Sequence, residues 1–144
     1  MFLHLLNPER TIQMAKDGGY FRVLVENVDA ACQYFFAPDG ESRIPDPASN
    51  FQPDGVHGCS QVVDHSSFRW TDSSWKGLPF HSLILYELHV GTFTREGSFE
   101  AAIPRLKDLK DCGINAIQLM PVNQFPGVRN WGYDGAFPYA VQKT

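Results

Sequence analysis

Hydrophobic positions keep different periods along the chain, and each period predicts a different element. In residues 1–45, Tyr20–Val25 (YFRVLV) and Cys32–Ala37 (CQYFFA) are rich in β-branched and aromatic residues, which predicts strands. Gly18-Gly19 precedes the first run and Pro38-Asp39-Gly40 closes the second, both with the chemistry of tight turns. Two or three strands cannot bury both faces of a sheet, so residues 1–45 read as part of a β-sandwich whose other strands lie outside this stretch.

The pattern lapses between Arg43 and Gly77. Three prolines, three glycines and the tryptophans Trp70 and Trp75 describe an irregular connector pinned by aromatic anchors, and residues 46–78 are read as a segment packed between two domains.

Regular periodicity returns after Pro79, at the start of the third segment, residues 79–144. Leu83–Val90 (LILYELHV) is almost continuously apolar, as expected of a strand buried on both faces of a parallel sheet. Ser98 offers a helix N-cap with Glu100 in the first turn, and Phe99, Ala102, Ile103, Leu106 and Leu109 form one apolar stripe over a helix at 98–112. Pro104 kinks that helix or marks its first turn, and Gly113 sits where a left-handed cap belongs. Ile114–Val122 (INAIQLMPV) predicts a second buried strand, so the unit is β-α-β with a right-handed crossover.

Pro121–Thr144 follows with little periodicity, and a long segment after a strand's carboxyl end is characteristically a functional loop on the ligand-binding face. It carries Phe125, Trp131, Tyr133, Phe137 and Tyr139. These aromatics either form a private loop core or present Trp131 or Tyr133 to an apolar ligand face such as a pyranose ring. In the second case Asn130 and Asp134 would hydrogen-bond its hydroxyls.

Composition narrows the classes. With 43% hydrophobic and 19% charged residues the chain is an ordinary globular sequence. Twelve basic against 16 acidic residues leave no positive excess for nucleic acid or an anionic membrane. The early apolar run Met1–Leu6 is broken by His4 and followed by Asn7-Pro8-Glu9, too short for a signal h-region or a membrane span, and a cytoplasmic location is expected. Cys32, Cys59 and Cys112 form no CxxC pair and read as reduced, partly buried thiols. His57 and His65 flank Cys59 without a second thiol, and the connector aspartates lack calcium-loop spacing, so no metal site is expected. Glu87, inside the first predicted strand, reads as a buried structural carboxylate, and His89 as a structural histidine with its hydrogen bonds satisfied.

Three blocks in order carry a family resemblance: Tyr86–Phe93 (YELHVGTF), Gly113–Val122 (GINAIQLMPV) and Asn130–Gly135 (NWGYDG). Together they resemble the opening of the catalytic domain in the α-amylase superfamily. The upstream Asp46–Gly58 (DPASNFQPDGVHG), with Gln124–Gly127, resembles the malto-oligosyltrehalose trehalohydrolase family more than the glycogen branching and debranching enzymes. The resemblance implies an immunoglobulin-like β-sandwich followed by a (β/α)8 barrel, whose first β-α-β unit lies in residues 79–144. It implies that Tyr133 stacks under the sugar ring beside the scissile bond, with Trp131 and Asp134 as loop neighbours. It also implies retaining hydrolysis of the α-1,4 bond next to a terminal trehalose in maltooligosyl trehalose, releasing trehalose with no cofactor.

A (β/α)8 barrel takes about 250 residues, and retaining hydrolysis needs a nucleophile and an acid about 5 Å apart. In the superfamily both come from later strands, and the third-strand motif ending in Asn-His is missing as well. The sequence is therefore expected to be a piece of a longer enzyme, incomplete at both ends, and no catalytic residue is assigned. The alternatives are a piece of a branching or debranching enzyme, or a non-catalytic module that binds α-glucan or a protein.

Overall fold

The structure, a computed structural model, describes residues 1–143. Thr144, the last residue of the third predicted segment, lies outside the described residues. Two units emerge, one comprising Met1–His65, Asn123–Pro126 and Gly135–Lys143, the other Ser66–Val122 and Gly127–Asp134.

The first unit is built on a strand that the sequence reading passed over. β1 (Phe2–Leu6) lies inside a four-stranded antiparallel sheet, between β2 (Glu9–Gln13) and a later strand that pairs it from Phe2↔Ala37 to Leu5↔Tyr34. Leu3 and Leu5 of β1 are buried with Cys32, and Ile12, Val23, Val25, Tyr34 and Phe36 pack against them. On the same strand His4 Nδ1 lies 2.7 Å from Oγ1 of Thr11, its partner across the ladder.

β3 (Ala15–Asp17) and β4 (Tyr20–Arg22) make a separate hairpin. Its Gly18-Gly19 turn has φ of +53° and +94°, and positive φ at both positions is what a two-residue type I′ turn requires. The strand expected to run to Val25 thus stops at Arg22, while β5 (Gln33–Ala37) falls where it was predicted. Beyond β5 the chain turns and Phe36 bridges back to Ile44 with backbone bonds of 2.9 Å each way. Asp39 organises this turn, its Oδ1 accepting from the amides of Glu41 (3.0 Å) and Ser42 (2.7 Å) and its Oδ2 from the Ser42 hydroxyl (2.5 Å). Those bonds, the hydroxyl first, lower its carboxyl from the usual 3.8 to about 2.

The stretch read as an irregular connector also contributes to this sheet. β6 (Ser60–Gln61) pairs with β5 as its edge strand. Ahead of it the backbone turns around a buried polar cluster of Ser49, Gln52 and Ser60. Ser60 Oγ accepts from the Asp46 amide at 2.8 Å, Tyr34 donates its hydroxyl to Asp46 at 2.7 Å, and the Gln52 amide nitrogen faces Ser49 Oγ, Ser60 Oγ and the carbonyls of Phe51 and Cys59. Each buried polar group is thereby matched, which is what makes an apolar-poor interior tolerable. Burial and then the Asp46 carboxylate raise the Tyr34 hydroxyl well above its ordinary range. Cys59 is buried beside Asp54 and is pushed up to about 11 by burial first.

In the second unit β7 (Leu85–Leu88) and β8 (Ala116–Leu119) pair in parallel, from Leu85↔Ala116 to Leu88↔Leu119. Both are shorter than Leu83–Val90 and Ile114–Val122, because Val90 already begins a short helix, α1 (Val90–Phe93), and Asn115 turns its side chain into the strand start. There Asn115 Oδ1 accepts from the Ile84 amide and its Nδ2 donates to Ser82 O, both at 2.8 Å. Burial on both faces is not observed. Leu85 is 55% exposed and Leu88 5%, and Glu87 is exposed rather than buried, since this sheet has two strands and few side chains lie over it.

The predicted helix is present in three pieces: α2 (Phe99–Ala102), a 3-10 turn over Ile103–Arg105 and α3 (Leu106–Asp111). Ser98 caps it, accepting from the Ala101 amide at 3.2 Å, and Pro104 sits in the tightened middle turn because its ring cannot donate to the helical ladder. Gly113 ends it at φ +95°. Trp70 and Trp75, expected as interior anchors, are 73% and 70% exposed, and Trp70 meets the Phe68 ring edge-on at 4.9 Å. All three cysteines are free, but Cys112 is exposed rather than partly buried, as it follows the open face of α3.

Residues 121–143 are more regular than their weak periodicity predicts. β9 (Asn123–Gln124) and β10 (Phe137–Val141) pair antiparallel within the first unit, with a bulge between Phe137↔Gln124 and Val141↔Asn123.

Candidate functional site

Parallel β7 and β8 bring the loops at their carboxyl ends side by side. The Met120 amide donates to Leu88 O at 2.9 Å, extending the ladder past β8. On β7 the next residue is His89, which precedes α1; its carbonyl accepts from the Thr92 and Phe93 amides at 3.1 and 2.9 Å. On β8 the chain passes Pro121, leaves for the first unit and returns as the loop 127–134.

That loop closes on Asn130. Asn130 Oδ1 accepts from the Gly132 amide at 2.6 Å and the Asp134 amide at 3.5 Å, while its Nδ2 donates to Asp134 Oδ2 at 2.8 Å. An asparagine side chain that mimics a backbone turn is the local reason for the shape. Gly132 has φ +98°, and a Cβ at this position would lie 2.3 Å from the Pro121 carbonyl oxygen, so glycine is required on both counts. The loop is tied to β7 by His89, whose Nε2 lies 2.6 Å from the Asn130 carbonyl oxygen and whose ring meets Trp131 edge-on at 5.5 Å.

Of the sequence-singled residues, Asn130, Trp131, Tyr133 and Asp134 thus share one braced pentapeptide. Trp131 and Tyr133 expose 66% and 72% of their surface, whereas Phe137 is buried. The aromatics of the segment therefore divide between interior and surface. The sequence predicts a satisfied structural histidine at position 89; Nε2 has its partner, but Nδ1 is buried without one among the described residues. No local pattern announces a bond between residues 41 apart, and only the parallel pairing of their strands makes it foreseeable. Among the described residues no three His, Cys, Asp or Glu side chains are grouped to hold a metal ion, and no helix is long and apolar enough to cross a membrane.

Comparison with known proteins gives a consistent set of relatives, although no family model matches. Malto-oligosyltrehalose trehalohydrolase of Saccharolobus solfataricus is 46% identical over 128 residues, covering 89% of this chain and 23% of that protein. Its counterpart in Deinococcus radiodurans is 47% identical over 127 residues, covering 88% of this chain and 21% of that protein. The 1,4-α-glucan branching enzyme of Aliivibrio fischeri reaches 31%. A crystal structure of a candidate α-amylase from Salmonella typhimurium superposes on 99% of this chain, and 24% of its own, with a TM-score of 0.91 at 41% identity. A pullulanase of Anoxybacillus sp., solved with maltotetraose, has a TM-score of 0.76 over 98% of the chain at 22% identity, a likeness of fold. The chain spans under a quarter of the length of the first two relatives.

Proposed function

We propose, from the premise that this chain is a relative of the malto-oligosyltrehalose trehalohydrolases within the α-amylase superfamily, that it supplies the start of a trehalose-releasing glycosidase and one wall of its substrate site. In this reading residues 1–45 belong to an immunoglobulin-like sandwich, 46–78 connect it to the catalytic domain, and 79–144 open a (β/α)8 barrel. The parallel β7–β8 pair and its intervening helix are the first β-α-β unit. The exposed faces of both strands support this reading, since parallel sheets have both faces covered.

The observation that carries the reading is the braced loop with two exposed aromatic rings at the carboxyl end of a parallel pair, where barrel enzymes bind their substrates. Tyr133 stacks on the pyranose ring next to the scissile bond, Trp131 extends the apolar face, and Asn130 and Asp134 form its polar rim. A carboxylate offers about four acceptor sites, so the bond to Asn130 leaves Asp134 able to accept from sugar hydroxyls. The substrate is an α-1,4-glucan ending in trehalose. Retaining cleavage requires a nucleophile and an acid on opposite sides of the bond, and neither is assigned to this chain, whose part is to orient the sugar. The branching-enzyme reading is less favoured because that relative is less similar.

The test is Tyr133→Ala in an enzyme complete in the two carboxylates. On maltotriosyl-trehalose, kcat/KM should fall about tenfold, the scale of one aromatic contact, with the melting temperature nearly unchanged. An unaltered kcat/KM removes Tyr133 from the site. Branch formation from amylose without trehalose release overturns the substrate assignment.

A further inference from the structure

We propose that His89 is a positioning residue for the sugar-stacking face, acting through Asn130 and Trp131; the inference rests on the reading of loop 127–134 as a glucan subsite. His89 sits at the carboxyl end of β7, where its backbone is fixed by the first turn of α1. A carbonyl oxygen only accepts, so the 2.6 Å contact to Asn130 O places a hydrogen on Nε2. The same ring presses edge-on against Trp131. Room for the ring is kept by Gly91, where a Cβ would come within 3.0 Å of His89 Cε1.

This single side chain therefore grips two consecutive loop residues, one by a hydrogen bond and one by ring contact. Because Asn130 in turn binds the Gly132 amide and Asp134, fixing the Asn130 carbonyl fixes the whole pentapeptide that presents Tyr133. Folding alone gives no reason for histidine here. Its Nδ1 is buried with no partner among the described residues, and an apolar ring would fill the space without that penalty. What histidine adds is a donor aimed at the loop together with a flat face for Trp131. A subsite that binds a sugar by stacking depends on the attitude of its rings, and pre-setting that attitude spares the ordering cost when the ligand arrives.

Three variants separate the two grips: His89→Gln keeps a donor at similar reach, His89→Phe keeps the ring, and His89→Ala keeps neither. In the 144-residue chain, long-range 15N–1H NMR of the wild type should show the hydrogen on Nε2. Amide exchange at Trp131–Asp134 should quicken about tenfold or more in His89→Ala, the loss of one hydrogen bond and its ring contact, while β1 and β5 amides are unaffected. In an enzyme complete in the two carboxylates, kcat/KM on maltotriosyl-trehalose should drop by a similar factor in His89→Ala, with the melting temperature shifted only slightly, and in the 144-residue chain His89→Gln should recover more loop protection than His89→Phe. If His89→Ala does not fold, the Gln and Phe variants are compared with the wild type by the same readouts. Unchanged loop exchange overturns the proposal, as does a loss of protection spread evenly through the unit. Should Tyr133→Ala leave kcat/KM unchanged in an enzyme complete in the two carboxylates, the glucan reading falls, and the exchange pattern alone still decides whether His89 sets the loop.

Discussion

Replacing Gly132 by alanine tests the loop more severely than any change to its exposed side chains. The residue has φ +98°, which L side chains rarely adopt, and the new methyl would meet the Pro121 carbonyl oxygen at 2.3 Å and its carbon at 3.0 Å. The obstacle is backbone, and it cannot drift, because the adjoining Met120 amide is bonded to Leu88 O. The left-handed conformation alone costs about 1–2 kcal/mol for a non-glycine residue. Relieving the clash means lifting the loop and breaking the Gly132–Asn130 and His89–Asn130 hydrogen bonds, about 1 kcal/mol each. Reduced freedom of the unfolded chain returns roughly 0.4–1 kcal/mol. A net of about 3 kcal/mol remains, which lowers the population of the correctly placed loop roughly a hundredfold.

Gly127→Ala is the matched control, since Gly127 also has a positive φ, +85°, but open space where its Cβ would go. It should cost only the conformational part, about 1 kcal/mol. Urea titration and maltotetraose binding, measured on both variants, read the difference: Gly132→Ala should lose binding far beyond Gly127→Ala. Affinity within twofold of the wild type in Gly132→Ala would refute the argument, because the loop would then have a second arrangement that presents Tyr133 equally well.

Ser98→Ala removes the side-chain cap of α2, the only one on α1, α2 or α3 among the described residues, and should cost about 1 kcal/mol, with Ser98→Asp retaining most of it, as read by denaturant titration of the pair. Asp39, held at about 2 by the Ser42 hydroxyl and by the amides of Ser42 and Glu41, has a folded pKa below its ordinary 3.8. Its contribution to stability is therefore complete above the unfolded value and fades as pH falls from near 4 toward 2. Carboxyl 13C titration checks the low midpoint, and Asp39→Asn should flatten that part of the stability curve; a midpoint near 3.8 would show that the turn bonds do not persist in solution.

Elements defined by local chemistry were legible in the sequence. Ser98 and Gly113 bracket the helix because a cap and a left-handed terminus need only their own neighbours. β1 was not legible, and its burial pattern explains why. Leu3 and Leu5 are buried while Phe2, His4 and Leu6 are half-buried, so apolar side chains occupy both faces and the alternation that signals a strand is blurred. Its partner β2 (ERTIQ) is mostly exposed and carries almost no apolar signal, being a strand by virtue of pairing with β1. β6 and β9 escaped for a related reason, since two-residue strands depend on partners distant in sequence, and β10 has only β9 to pair with. For the site, sequence reading found the residue types and the loop. It could not find the tie from His89, because that bond exists only once β7 and β8 lie in register.

Exposed aromatics do not by themselves mark a binding surface in this chain. Trp70, Trp75 and Phe80 are at least as exposed as Trp131. The difference lies in what holds the backbone beneath them. Trp70 rests on one ring contact to Phe68, and Trp75 follows a turn closed by its own amide on Asp72 O. Around Trp131 and Tyr133 the backbone is determined several times over, by the Asn130 brace, by a glycine that both its positive φ and the Pro121 approach require, and by the reach of His89 across from β7. Solvent exposure of two rings is an unfavourable arrangement that a loop free to move would relax by collapsing them inward. Fixing the backbone so that collapse is prevented costs further free energy in ordering, and a surface that accepts both costs is one whose compensation comes from a ligand. If the proposed glucan reading holds, the loop at 130–134 is for that reason the place to look for the sugar, ahead of the exposed rings of Trp70 and Phe80.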